Sequence, residues 1–188
     1  MLSSSMGVVL SASPRAVGKR KPVPNRDPEC MNALISFTAR SLRTARPRPF
    51  GAAIVHTKTG KLLLAALNNV TQAFDPSAHA EVRAIRLATK RLKNVSLAGY
   101  TLYSTCEPCP MCMSTALWAE LDRVVYGATI DDANRHFNQI QIPAVEIARR
   151  SDMQCVVEGP FLREKCYALF THPTMLRAIR QLPTRKRK

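Results

Sequence analysis

The sequence predicts an α/β domain layered around one sheet. Three observations carry that expectation: five short apolar stretches with strand character, helical periodicity in the segments between them, and a length of 188 residues. That length suits one domain with tails, enough chain to bury a substantial core.

Residues 1–26 are Ser-rich at first and basic throughout, with Pro14, Pro22 and Pro24 and no acidic residue, a composition that reads as disorder. An acid-free start also resembles an organelle transit peptide, although no amphipathic period supports it. Asp27 then reads as a helix cap with Pro28 in the first turn. Met31, Leu34, Ile35 and Thr38 follow at helical spacing, and the helix should run to about Leu42. The basic cluster Arg40, Arg43, Arg46 and Arg48 reads as a solvated face.

Phe50 to Val55 reads as a buried strand, Thr59-Gly60 as a turn and Leu62 to Leu67 as a second strand, hence a hairpin closed by Asn68-Asn69-Val70. A loop with Asp75-Pro76 leads into a helix from about His79 to Leu92, with Val82, Ile85, Leu87 and Ala88 as its apolar face. Tyr100 to Ser104 is a third strand. Cys109 opens a helix to about Glu120 on which periodicity places Trp118 in the core. Arg123 to Tyr126 is a fourth strand, and Asp131-Asp132 begins a polar loop or short helix. A helix at Val145 to Arg149, a fifth strand at Met153 to Val157 and a helix at Pro160 to Phe170 complete the domain, residues 27–171. Residues 172–188 read as a basic tail ending in Arg185-Lys186-Arg187-Lys188, a run that also fits nuclear import.

The formal charge of +15 suggests a nucleic-acid binder until it is located. The two ends, 1–26 and 165–188, hold twelve basic residues and no acid, whereas 27–164 set 16 basic residues against all 13 acidic ones. The excess therefore lies in the tails, which makes nucleic acid a possible but not favoured partner. No apolar run approaches the length of a membrane span. Six cysteines without a secretory signal argue for a reducing, cytoplasmic setting, with Cys30, Cys155 and Cys166 as small buried apolar residues.

Chemistry concentrates in His79-Ala80-Glu81 and Pro108-Cys109-Pro110-Met111-Cys112. Cysteines three apart at a helix start share a face, and with His79 they give three ligands; a catalytic tetrahedral zinc has three, with water at the fourth corner. Glu81 is the acid left over for proton transfer. Both segments fall at helix N-termini, where the backbone favours thiolate. The bland readings are a redox Cys-x-x-Cys, which has no use for His79 and Glu81, and a structural zinc with Cys106 as fourth ligand. Pro108 sets Cys106 apart from the helix.

The paired motif resembles the cytidine-deaminase-like zinc hydrolases, whose signature is H-x-E with P-C-x-x-C. Within them it is most similar to guanine deaminases. The likeness runs from about Pro49 to Tyr126, through Pro49-Phe50-Gly51-Ala52, Asn68-Asn69-Val70, Asp75 to Val82, Cys106 to Cys112 and Val125-Tyr126-Gly127-Ala128. The resemblance implies a three-layer α/β/α fold with a mixed sheet of about five strands, one Zn2+ per chain, a purine substrate and a homodimer. It implies Glu81 and Asp132 as catalytic acids and His79, Cys109 and Cys112 as metal ligands. Asn68, Phe50, Ala80, Trp118 and Glu158 would surround the substrate: Asn68 through its amide, Phe50 and Trp118 through their rings, Glu158 at the guanine N1 edge. The implied reaction is hydrolytic deamination, guanine giving xanthine and ammonia. The alternatives are a tRNA adenosine deaminase, a deaminase of cytosine, guanosine or a triazine, and a silent partner subunit. The N-terminal extension and basic terminus depart from the family pattern at the pocket lid.

Overall fold

A computed structural model describes residues 25–181. The expectations for residues 1–24, and for the flexible Arg185–Lys188 end, lie outside the described residues. Five strands, β1 (Gly51–His56), β2 (Leu62–Leu67), β3 (Tyr100–Cys106), β4 (Arg123–Ala128) and β5 (Val156–Glu158), form one sheet in the order β2-β1-β3-β4-β5. β1 runs antiparallel to both β2 and β3, while β3, β4 and β5 are parallel, so the sheet is mixed.

Alternation along the strands builds a core on each face. Ala52 and Ile54 of β1, Leu102 of β3 and Val124 of β4 meet α3 (Ala80–Leu92) and α4 (Pro110–Trp118), with α6 (Ala144–Arg149) beside them. Ala53 and Val55, Tyr103 and Val125 meet α1 (Asp27–Ser41) and α7 (Arg163–Thr171) on the other side. The result is the three-layer α/β/α arrangement. The single turns α2 (Val70–Ala73) and α5 (Ile130–Asn134) sit in loops. α8 (Pro173–Arg180) begins where the sequence reading starts a tail, and its Met175 is buried in the α1–α7 core. Among the described residues no helix is long and apolar enough to cross a membrane.

Several local expectations change. Asp27 does not cap α1. Its carboxylate accepts from the Tyr103 hydroxyl at 2.5 Å and from two Arg123 nitrogens at 2.8 and 2.6 Å, tying the start of α1 to β3 and β4. Leu87 is exposed, because α3 turns it outward between Arg83 and Lys90. β5 starts three residues later than expected, and α7 begins at Arg163 rather than Pro160.

Glycine matters where elements touch. A Cβ on Gly127 of β4 would meet the Cys166 sulfur of α7 and the Thr105 carbonyl, the latter at 2.9 Å. The close approach of α7 to the sheet depends on its absence.

Candidate metal centre and active site

β2 and β3 both lead, through a loop, into a helix whose N-terminal residue carries a metal-binding side chain. His79 is the N-cap of α3 and Cys109 the N-cap of α4, both with extended backbone and neither bonding its own helix through the side chain. Pro110 at the first helical position fixes the turn at which Cys109 leaves the loop. Cys112 follows one turn later and is fully buried.

These three side chains converge. The Cys109 and Cys112 sulfurs are 3.6 Å apart, and His79 Nδ1 lies 3.7 Å from the first and 3.5 Å from the second. Donors on one tetrahedral zinc, with Zn–S about 2.3 Å and Zn–N about 2.0–2.1 Å, sit roughly 3.6–3.8 Å from one another. The observed triangle fits, so His79, Cys109 and Cys112 are capable of coordinating a single Zn2+. Cys106 does not join them. Its sulfur is turned to the Thr129 carbonyl at 3.8 Å, and the cluster holds three donors among the described residues, which leaves a tetrahedral ion one open corner.

Electrostatics suit the assignment. Hydrogen bonding with Cys112, and secondarily with His79, lowers the Cys109 pKa to about 4, the direction that favours the thiolate a metal ligand needs. Hydrogen bonding with Cys109 and then burial push the Cys112 thiol well up. The same Cys109 contact raises His79.

Glu81 lies beside the cluster. It is 6% exposed, its Oε2 is 3.6 Å from the Cys112 sulfur, and its Oε1 accepts a 3.1 Å hydrogen bond from the Ser104 hydroxyl. Burial raises its pKa, the direction that brings a carboxylate towards proton exchange near neutrality. Ser104 of β3 was not picked out from the sequence: it is the direct register partner of Ala52 on β1, a pairing between residues 52 apart that local spacing does not show. Glu107 also went unread. Its carboxylate accepts from the Ile130 and Ala144 amides at 3.1 and 2.9 Å, pinning the α5 and α6 starts to the cysteine loop.

The family motif matching the chain is described as the cytidine and deoxycytidylate deaminase zinc-binding region, and it spans residues 24–128. The chain belongs to this family. It is 49% identical over 85 residues to a guanine deaminase of Bacillus subtilis (strain 168), covering 45% of this chain and 53% of that protein. It is 41% identical over 80 residues to a tRNA-specific adenosine deaminase of Aquifex aeolicus (strain VF5), covering 43% and 52%. The chain thus spans about half the length of these curated relatives. A solved guanine deaminase from Nitrosomonas europaea shares the fold, with a TM-score of 0.71 over 87% of this chain and 99% of that one at 22% identity.

The remaining predicted residues divide. Ala80, buried in the first turn of α3, sits between the ligand and the acid. Asn68 closes β2: its backbone N–H donates to the Phe50 carbonyl at 3.0 Å, and its side-chain Oδ1 accepts from the Val70 backbone N–H, which leaves the side-chain NH2 group as the donor. The Phe50 ring packs against Phe137 and Phe170, each 5.1 Å away.

Three residues are placed differently from the family expectation. Trp118 is 74% exposed at the end of α4 away from the cysteines, neither in the core nor against the cluster. Glu158 is taken by Arg123, which donates from Nε at 2.5 Å. Asp132 is buried in a capping box with Thr129 and receives two 2.8 Å hydrogen bonds from Arg163, which pushes its pKa down to about 2. A carboxylate held ionised in this way is a poor proton donor at neutral pH. Asp131, its neighbour, is exposed.

Proposed function

We propose that this chain is a zinc-dependent aminohydrolase that deaminates a purine base, with guanine as substrate and xanthine plus ammonia as products, acting as a homodimer. The observation that carries the chemistry is the triangle of His79, Cys109 and Cys112 with the Glu81 carboxylate buried beside it. The identity to a guanine deaminase supports the choice of base.

Zinc held there supplies a Lewis acid that brings the pKa of water down towards about 7. Glu81 takes the proton of the attacking water, passes it to a ring nitrogen, and delivers a proton to the departing amine, so water and guanine become xanthine and ammonia. Ser104 holds one carboxylate oxygen and leaves the other for that exchange. The Asn68 NH2 group is the donor for an acceptor on the purine edge, and Phe50 supplies an aromatic wall.

The test is an ammonia-release screen of guanine, guanosine, cytosine, adenine and a tRNA, with and without chelator. Chelator-sensitive release from guanine is the expected result. Release from tRNA alone would replace guanine with adenosine in RNA, as in the Aquifex relative, and no release from any substrate with zinc restored would end the enzyme reading.

A further inference from the structure

One buried side-chain nitrogen or oxygen among the described residues has no hydrogen-bond partner: Nε of Arg48. A buried donor left unmet works against folding, so native structures hold few of them and each has a cause. The sequence reading puts Arg48 on a solvated face with Arg40, Arg43 and Arg46. In the fold it is half-buried, and burial, followed by the like charges of Arg83 and Arg46, lowers its pKa. Desolvation and crowding both disfavour a guanidinium at this place.

Its side chain is nevertheless presented from a fixed backbone. The hydroxyl of Ser41, buried at the end of α1, donates to the Arg48 carbonyl at 2.7 Å and accepts from the Arg48 backbone N–H at 3.1 Å. The next two carbonyls are also engaged: that of Pro49 accepts from the Thr105 hydroxyl at 3.2 Å and that of Phe50 from the Asn68 backbone N–H at 3.0 Å. From this frame Nη1 of Arg48 donates to Asn69 Oδ1 at 3.3 Å.

Asn69 closes the loop between Asn68 and the metal ligand His79. Its backbone N–H donates to the Ala78 carbonyl, and its carbonyl accepts from the Ala73 N–H, both at 2.9 Å. It is also the N-cap of α2, where an asparagine side chain ordinarily accepts from its own helix. Here it makes no cap bond, and its oxygen is turned to Arg48 instead. The Asn68 side chain depends on the same place, because its Oδ1 accepts from the N–H of Val70, the first residue of α2. A shift of Asn69 and Val70 therefore turns the Asn68 NH2 group.

We infer that Arg48 is a positioning residue: through Asn69 it holds the Asn68–His79 loop so that the Asn68 NH2 group faces the substrate, and it does so at the expense of fold stability. The role in turnover rests on the reading of Asn68 as a substrate contact, whereas the hold on the loop is measurable without substrate.

The experiment compares the parent, Arg48→Met, Asn69→Ala, the double variant and Arg46→Met by guanine kinetics, zinc content, urea unfolding and amide hydrogen exchange without substrate. Misplacing one hydrogen-bond donor to the substrate raises KM about tenfold and leaves kcat within about twofold. Arg48→Met and Asn69→Ala should each do this with one zinc retained, and the double variant should be no worse than either, since both break the same link. Exchange at the Asn69 and Ala73 amides should quicken in Arg48→Met while its urea midpoint holds or rises, because the unmet donor and the crowding leave with the guanidinium. Arg46→Met, which sheds an equal charge from an exposed neighbour, should keep the parental KM. A parental KM in Arg48→Met, additive losses in the double variant, or a fallen urea midpoint with exchange unchanged would overturn the inference. If the parent does not deaminate guanine, the choice of substrate falls. Exchange then decides alone: quickened amides support the hold on the loop, and unchanged ones overturn it.

Discussion

Asp132→Asn separates a structural clamp from a proton carrier. Asp132 is 1% exposed, and it accepts from Arg163 Nε and Nη2 at 2.8 Å and from the Thr129 amide at 3.1 Å. A carboxyl pKa pushed down to about 2, chiefly by Arg163, corresponds to about 2 kcal/mol of native-state stabilisation. Because the folded pKa is depressed, that contribution is complete above the unfolded value near ~4 and is lost as pH falls through about 2. Asparagine keeps an acceptor for Thr129 but drops the charge. Arg163 is 44% exposed and regains water, which holds the loss near 2 kcal/mol instead of the roughly 3–5 of a fully buried pair. Urea unfolding of both proteins should show that gap at neutral pH and a vanishing gap near the folded pKa. Equal stability at neutral pH, together with lost turnover per folded molecule, would refute the clamp and return Asp132 to the chemistry.

Ser104→Ala removes the hydrogen bond to a buried carboxylate, worth about 1.5–3 kcal/mol, so kcat should fall roughly tenfold to a hundredfold with zinc content unchanged and Ser104→Thr restoring it; an unaltered kcat would contradict the role. Gly127→Ala drives a Cβ against the Thr105 carbonyl and the Cys166 sulfur, and should lower stability by about 1–3 kcal/mol in a urea titration. Cys106→Ser should leave the zinc environment intact, because that sulfur faces Thr129. X-ray absorption showing three sulfur neighbours in the parent protein would contradict it.

What the sequence made legible was local. The hairpin, the two helix starts and each of the two metal motifs, His79-Ala80-Glu81 and Cys109 to Cys112, follow from short-range spacing, and the sheet follows from strands alternating with helices. What stayed hidden depends on partners far along the chain. Asp27 looks like a cap until Arg123, 96 residues on, claims both its oxygens. Glu158 and Asp132 are free carboxylates on paper and ion-paired in the fold. Trp118 fails for another reason: α4 is packed between α3 and α6, and the periodicity that marks a buried face cannot show that its last turn emerges into solvent. Charge is likewise hidden by averaging, since the net +3 of residues 27–164 combines a basic stretch, 30–106, with an acidic one, 107–164.

The most direct test is ammonia release per bound zinc in Glu81→Gln against the parent, with guanine as substrate. The account predicts one zinc per chain in both proteins and a drop in turnover of about 10²–10⁴ in the variant. Turnover at the parental rate from zinc-loaded Glu81→Gln would contradict it.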